Sequence, residues 1–185
     1  MRLKAMAKIN LGLDVLGKRE DGYHEVRMIM QTIRMYDILD IRKTRRPGIV
    51  LTTNLPFIPT DQRNLVYKAA QMLMEEFDVE EGLSIKLRKF IPVAAGMAGG
   101  SSDAAAAFVG VNRMFHLGLT EEQLMERAVK VGADVPYCIM RGTALAEGIG
   151  EKLTRLPEVP KCYVLIGKPG INVSTKTAYE NLNLE

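Results

Sequence analysis

The chain has 185 residues, 47% apolar and 25% charged, with a formal net charge of +3. That length fits one domain, or one domain and part of another, and hides roughly two-thirds of the unfolded surface. The composition excludes a disordered, collagen-like or low-complexity chain.

No stretch reaches the ~20 apolar residues of a membrane helix. The opening segment is interrupted by Lys4, Lys8, Asn10 and Asp14, where a signal peptide would be continuously apolar. Two cysteines, Cys138 and Cys162, make no disulfide framework, and no Cys/His spacing forms a zinc site. A cytoplasmic protein with no membrane partner is expected. The mild positive charge fits an anionic small molecule as readily as nucleic acid.

In chain order, Leu3, Ala5, Ala7, Ile9, Leu11 and Leu13 alternate with polar or small residues. This is the period of a half-buried strand, and it puts Lys8 and Asn10 on one face. GKREDG at 17–22 is a polar turn. Residues 25–43 predict two strands broken near Tyr36-Asp37, and a short strand follows Pro47-Gly48 at Ile49 to Thr53. Val66, Ala69, Leu73 and Phe77 have helical spacing behind an Asn64 cap. Leu83, Ile85 and Leu87 alternate as a strand, and a small-residue loop from Val93 to Ser102 leads into a helix over 103–116. Thr120 and Gln123 read as a capping box before a third helix that stops at Gly132. Residues 137–140 and 143–147 predict a hairpin, Leu156 to Pro160 a linker, and Cys162 to Ile166 a last strand before a helix beyond Val173. Three strands, a helix, a strand, two helices and two strands make an α+β sandwich, with helices against a mixed or antiparallel sheet.

The strongest chemical signal is the segment Pro92-Val-Ala-Ala-Gly96-Met-Ala-Gly99-Gly100-Ser101-Ser102-Asp103, opening onto an alanine-rich helix. Glycines let backbone approach a ligand, and a helix start offers unpaired amides at the positive end of its dipole. Phosphate is the natural guest, although neither the Walker A pattern nor G-x-G-x-x-G is present. The same residues also suit a plain helix start packed closely on its neighbours. Asp134, in Gly132-Ala-Asp134-Val-Pro136, could serve as a general base or simply close a helix. Lys8 and Asn10 could equally be an exposed strand face. Tyr23 and His24 could stack on and bond a nucleobase, or be surface polarity at a turn. The basic run Arg42, Lys43, Arg45, Arg46 lacks interleaved aromatics and reads better as a solvated hairpin tip than as an RNA contact. Met28, Met30 and Met35 read as core filling.

Five pieces in this order resemble the GHMP kinase superfamily. They are AKINLGLDVLGKREDGYHEV at 7–26, PVAAGMAGGSSDAAAA at 92–107, GADVPYC at 132–138, GTALAEGIGE at 142–151 and PGINVSTKTAY at 169–179. The resemblance implies the family's N-terminal ATP-binding lobe over 1–158, a ribosomal-protein domain-2-like α/β sandwich. It also implies only the start of a ferredoxin-like C-terminal lobe over 159–185, a truncated chain whose strand 162–166 would offer an open edge for self-association. It implies ATP as phosphoryl donor, with Mg²⁺ following from the use of ATP and no metal ligand readable in the chain. The DGYH motif at 21–24 is similar to that of the branch acting on a cytidine-diphosphate-linked methylerythritol, which would be phosphorylated on its 2-hydroxyl.

Carried over by position, Lys8 and Asp134 would be catalytic. Pro92, Val93, Ala94, Ala95, Gly96, Met97, Ala98, Gly99, Gly100, Ser101 and Ser102 would form the ATP-phosphate loop. Asn10, Tyr23, His24, Thr175 and Tyr179 would hold the substrate. The chain departs from the family at Gly96-Met97-Ala98, where Gly-Leu-Gly is usual, so Ala98 would place a Cβ at a position suited to positive φ. Two other readings remain: another GHMP sugar or alcohol kinase, and an RNA-binding module of the same fold with no enzymatic activity.

Overall fold

Apolar alternation on either side of the polar turn builds one long hairpin, β1 (Arg2–Lys18) against β2 (His24–Thr44). The structure, a computed structural model, describes residues 1–170 and 181–182. The remaining elements are β3 (Ile49–Thr53), α1 (Leu65–Glu76), β4 (Gly82–Arg88), α2 (Gly99–Phe115), α3 (Glu121–Ala128), α4 (Val135–Met140), β5 (Thr143–Gly148) and β6 (Lys152–Arg155). They form a six-stranded sheet of order β3-β4-β2-β5-β6, with β1 along the other edge of β2. All pairs are antiparallel except β3 with β4. One face carries Val26, Met28, Met30, Leu39, Ile41, Leu83, Ile85, Leu87, Ala144 and Ala146, all buried in the core with the helices.

Helix α2 is the centre of the helical layer, with Ala104 to Phe108, Gly110 and Val111 buried. Its small side chains allow a close approach to the sheet. At Gly110 a Cβ would lie 2.5 Å from Ile41 Cδ1 and 2.7 Å from Leu3 Cδ1. Asn64 caps α1 by accepting from the Val66 amide at 2.9 Å, and Thr120 and Gln123 form the reciprocal capping box of α3.

Several expectations are corrected. β2 is one strand through Tyr36-Asp37, because β1 pairs alongside it throughout. The irregularity falls instead where Met6 pairs Tyr36 and Lys8 pairs Thr32, leaving Ile33, Arg34 and Met35 opposite Ala7. Two further register shifts, between Asn10 and Gly12 and between Val15 and Gly17, put Leu11 and Leu16 in bulges. Both are exposed, which breaks the simple alternation of β1. Of the methionines expected in the core, Met28 and Met30 are buried and Met35 is not.

Residues 137–140 belong to a helix, not a hairpin arm. Pro136 sits in its first turn, and an unbroken apolar run does not distinguish a buried strand from a buried helical turn. β6 occupies residues just before the expected linker. Residues 162–166 form no strand: Tyr163 and Leu165 are fully exposed, and none of the described strands lies alongside to complete their hydrogen bonds. The open edge expected from that strand is therefore missing. The expected helix beyond Val173, with Thr175 and Tyr179, lies outside the described residues.

Candidate active site

The helix α2 starts four residues earlier than its apolar spacing indicates, at Gly99, so half of the glycine-serine motif is helix rather than loop. Ala98 turns the chain into it with φ 52 and ψ 31, the left-handed conformation expected from the departure at this position. Ala94 and Gly96 also have positive φ, 54 and 69. No side chain caps the helix, and its first internal bond is Ser102 N to Ala98 O at 2.8 Å. The amides of Gly99, Gly100 and Ser101 are thus the ones a helix cannot satisfy itself. With the left-handed turns before them they form a concavity of unpaired donors, an arrangement suited to an anion.

The loop is held from below. Ala7, Ile91 and Met97 make a separate small core, packed with Ile33 and Ala95. The Lys8 amide donates to Met97 O at 3.1 Å. Ser102 Oγ donates to Met6 O at 2.6 Å and its residue is 2% exposed. Ser102 therefore fastens the helix to β1 rather than offering a hydroxyl to a phosphate, correcting that part of its expected role. Ser101 lines the cleft.

That cleft measures about 1310 Å³ and takes in the loop from Pro92 to Ser101, Lys8, Asn10, Tyr23, His24 and Asp134. Lys8 and Asp134, 126 positions apart in sequence, meet here: Lys8 Nζ lies 3.9 Å from Asp134 Oδ2 and donates to Asn10 Oδ1 at 3.1 Å. The Lys8 side chain is only 7% exposed, whereas that of Asp134 is 34% exposed. The aspartate stands at the N-cap position of α4 with no side-chain cap bond, so its carboxylate faces the cleft instead of the helix. At the hairpin tip, Arg19 N donates to Tyr23 O at 2.8 Å and Tyr23 N to Asp21 Oδ1 at 3.1 Å. This turn presents Tyr23 and starts β2 at His24. The basic run 42–46 is not on the cleft; Lys43 pairs with Glu81 at 3.3 Å and covers the Phe115 ring.

Sequence reasoning missed a buried ionic cluster beneath the loop. Lys89 Nζ donates to Asp37 and, at 2.7 Å, to Asp103 Oδ2, while Asp37 Oδ1 accepts from the amides of Phe90 and Ile91. Burial pulls Lys89 down, but Asp103 and Asp37 outweigh it and hold the ammonium above its ordinary range. Burial pushes the Asp103 carboxyl well above its ordinary range, against the opposing pull of Lys89. The available signals were Asp37 inside an apolar strand and Lys89 and Asp103 at the two ends of the loop. Also unforeseen is a wall of Ile58, Asn64 and Leu65 from the entry to α1. Cys138 is buried in α4, and burial raises its thiol far above the ordinary range, so it is not a nucleophile.

Among the described residues no group of three or more His, Cys, Asp or Glu side chains could cage a metal ion. Mg²⁺ ordinarily keeps several waters and is held largely by the phosphates of its nucleotide, so it would arrive on a bound triphosphate and need no protein cage. No helix among the described residues is long and apolar enough to cross a membrane.

A helix start with unpaired amides therefore stands beside a lysine–aspartate pair in one cleft. Residues 64–142 match the family model described as the GHMP kinases N terminal domain. The chain is 57% identical over 99% of its length to the 4-diphosphocytidyl-2-C-methyl-D-erythritol kinase of Lachnospira eligens, of which it covers 64%. It is 58% identical, again over 99%, to the enzyme of the same name from Lachnoclostridium phytofermentans, covering 63% of it. The chain thus spans just under two-thirds of these relatives. A crystal structure of 4-(cytidine 5'-diphospho)-2C-methyl-D-erythritol kinase superposes with TM-score 0.74 at 35% identity, over 84% of this chain and 55% of that one. Homoserine kinase from Cytophaga hutchinsonii shares the fold, with TM-score 0.70 at 19% identity over 85% of this chain and 55% of that one.

Proposed function

We propose that this chain is the nucleotide-binding lobe of a 4-diphosphocytidyl-2-C-methyl-D-erythritol kinase, transferring the γ-phosphoryl group of ATP to the 2-hydroxyl of its substrate. The observation that carries the reading is one cleft holding the α2 amides, the Lys8–Asp134 pair and the Tyr23–His24 turn together. The amides of Gly99, Gly100 and Ser101 would bind the triphosphate. Magnesium, arriving with the nucleotide, would neutralise phosphate charge. Asp134 would accept the proton of the attacking hydroxyl, and Lys8 would orient that carboxylate and offset charge on the transferring group. Asn10 fixes the Lys8 ammonium. Tyr23, 59% exposed, and His24 offer a ring face and a polar edge to the cytosine. In this reading Thr175 and Tyr179, outside the described residues, would contact the substrate.

The test is ADP release with the cytidyl substrate, and with homoserine as control, from the chain and from a version extended to the length of its relatives. Asp134→Asn is expected to abolish transfer while ATP still binds. Near-normal turnover in that variant, or preference for homoserine, would overturn the assignment.

A further inference from the structure

The cluster under the loop has no part in the chemistry above, yet it joins β2, the exit of β4 and α2 around the loop. Asp37 comes from the middle of β2, Lys89 from the exit of β4 and Asp103 from the first turns of α2. Asp37 is 0% exposed, Asp103 2% and Lys89 8%. Asp37 gathers the stem by accepting from two consecutive amides, Phe90 and Ile91, at the point where the chain enters the loop. Lys89 ties that stem across to Asp103, where the chain leaves it. Between the two ends, Gly99 lies so close that a Cβ there would be 3.1 Å from Lys89 Nζ and 3.2 Å from Ile91 Cγ2. The ammonium is therefore packed against Gly99, the first residue of α2.

We propose that Lys89, Asp37 and Asp103 are positioning residues that set where the α2 amides stand, governing affinity for nucleotide phosphates by holding the loop rather than by touching the ligand. The inference rests on the reading of the loop as a phosphate site.

Two carboxyl groups share one ammonium at the buried base of the cleft, which Lys89 and Asp103 border, and this leaves an excess negative charge unless one carboxyl keeps its proton. Asp103 is the one placed to keep it. Its Oδ1 is buried without a partner, burial raises it, and the neighbouring Asp37 charge raises it further. A neutral Asp103 makes the brace Lys89⁺ with Asp37⁻, balanced overall. This matters for function, because a net negative charge behind Gly99 would oppose the anion that the amides attract. An asparagine at 103 reproduces the neutral form, with its carbonyl still accepting from Lys89.

The experiment titrates ATP, and separately CDP, into the wild-type chain, Asp103→Ala and Asp103→Asn by calorimetry, with a thermal melt of each. Asp103→Ala is expected to weaken ATP about tenfold, the equivalent of ~1.4 kcal/mol, and CDP less than about twofold. Asp103→Asn is expected to restore ATP affinity to within about threefold of wild type, a difference under ~0.7 kcal/mol. Should Asp103→Ala give no cooperative melt, Asp103→Ser is read in its place. Equal losses for ATP and CDP, unchanged ATP affinity in the alanine variant, or an asparagine variant as weak as the alanine one would each overturn the brace. A wild-type chain that binds CDP but not ATP would instead overturn the phosphate reading on which it rests.

Discussion

Asp134 is delivered to the cleft by a six-residue helix, and the anchor of that helix can be removed one atom at a time. Tyr137 is 1% exposed; its hydroxyl donates to Gly142 O at 2.7 Å and takes a bond from Thr32 Oγ1 at 3.1 Å, which in turn accepts from Gly142 N at 3.1 Å. Tyr137→Phe deletes this hydroxyl and leaves the ring. Gly142 O keeps a donor, the Thr32 amide at 3.0 Å, so only the threonine hydroxyl loses a partner. The expected cost near neutral pH is therefore that of one exchanged hydrogen bond, about 1 kcal/mol, or a fall in Tm of roughly 2–4 °C at this chain length.

Alkaline pH adds a second, opposite effect. Burial pushes the Tyr137 phenol from 10.0 up to about 12. Between these values the unfolded chain releases a proton that the native protein keeps, so wild-type stability falls as pH rises. Over the full window this amounts to about 2–3 kcal/mol at ~1.4 kcal/mol per unit. The phenylalanine variant lacks this loss, while the lysines and other tyrosines cancel in the difference between the two proteins. Urea unfolding of both from pH 8 to pH 12 should show the variant weaker below about pH 10 and the stability curves crossing near pH 11. Parallel curves would refute the buried-phenol argument. A neutral-pH loss above about 3 kcal/mol would mean that the ring itself had been displaced.

Gly110→Ala forces a methyl against Ile41 and Leu3 at 2.5 and 2.7 Å and should cost about 1–3 kcal/mol in denaturant unfolding; a neutral result would show that these side chains yield freely. His24→Ala should weaken CDP binding well beyond any change in ATP, measured by calorimetry, and matched losses would remove His24 as a base contact. Ala98→Gly relieves a left-handed alanine, roughly 1–2 kcal/mol, but gives back about 0.4–1 kcal/mol through the freer unfolded chain. A net stabilisation of up to about 1.6 kcal/mol is expected, and a clear destabilisation would mean that packing of the Ala98 methyl outweighs the relief of strain.

The fold was legible wherever one face of an element is wet. The α1 and α3 caps and the β4 alternation of Leu83, Ile85 and Leu87 stand where their spacing puts them. Legibility failed where both faces are buried or where pairing decides. VPYCIM carries no periodicity because all six of its residues are buried. The strand at 162–166 could not be excluded from its own residues, since a strand needs a neighbour to exist. For the site, Lys8, Asp134 and the glycine loop were visible as residues, and the family resemblance assigned them to one centre. The Lys89–Asp37–Asp103 cluster was not visible, because nothing in a linear pattern states that β2, β4 and α2 converge.

The irregularity between Met6 and Lys8 connects these observations. In a regular strand, Ala7 and Lys8 would point to opposite faces, one buried and one in water. Here both are buried, because β2 sets three residues, 33–35, against Ala7 alone. That distortion lets Ala7 join Ile91 and Met97 beneath the loop, while Lys8 turns its amide to Met97 O and its ammonium toward Asp134. One local break in the ladder therefore fixes both the height of the α2 amides and the position of the cation beside them. The perfect alternation suggested by residues 3–13 would have put Lys8 in solvent and left the loop without a floor.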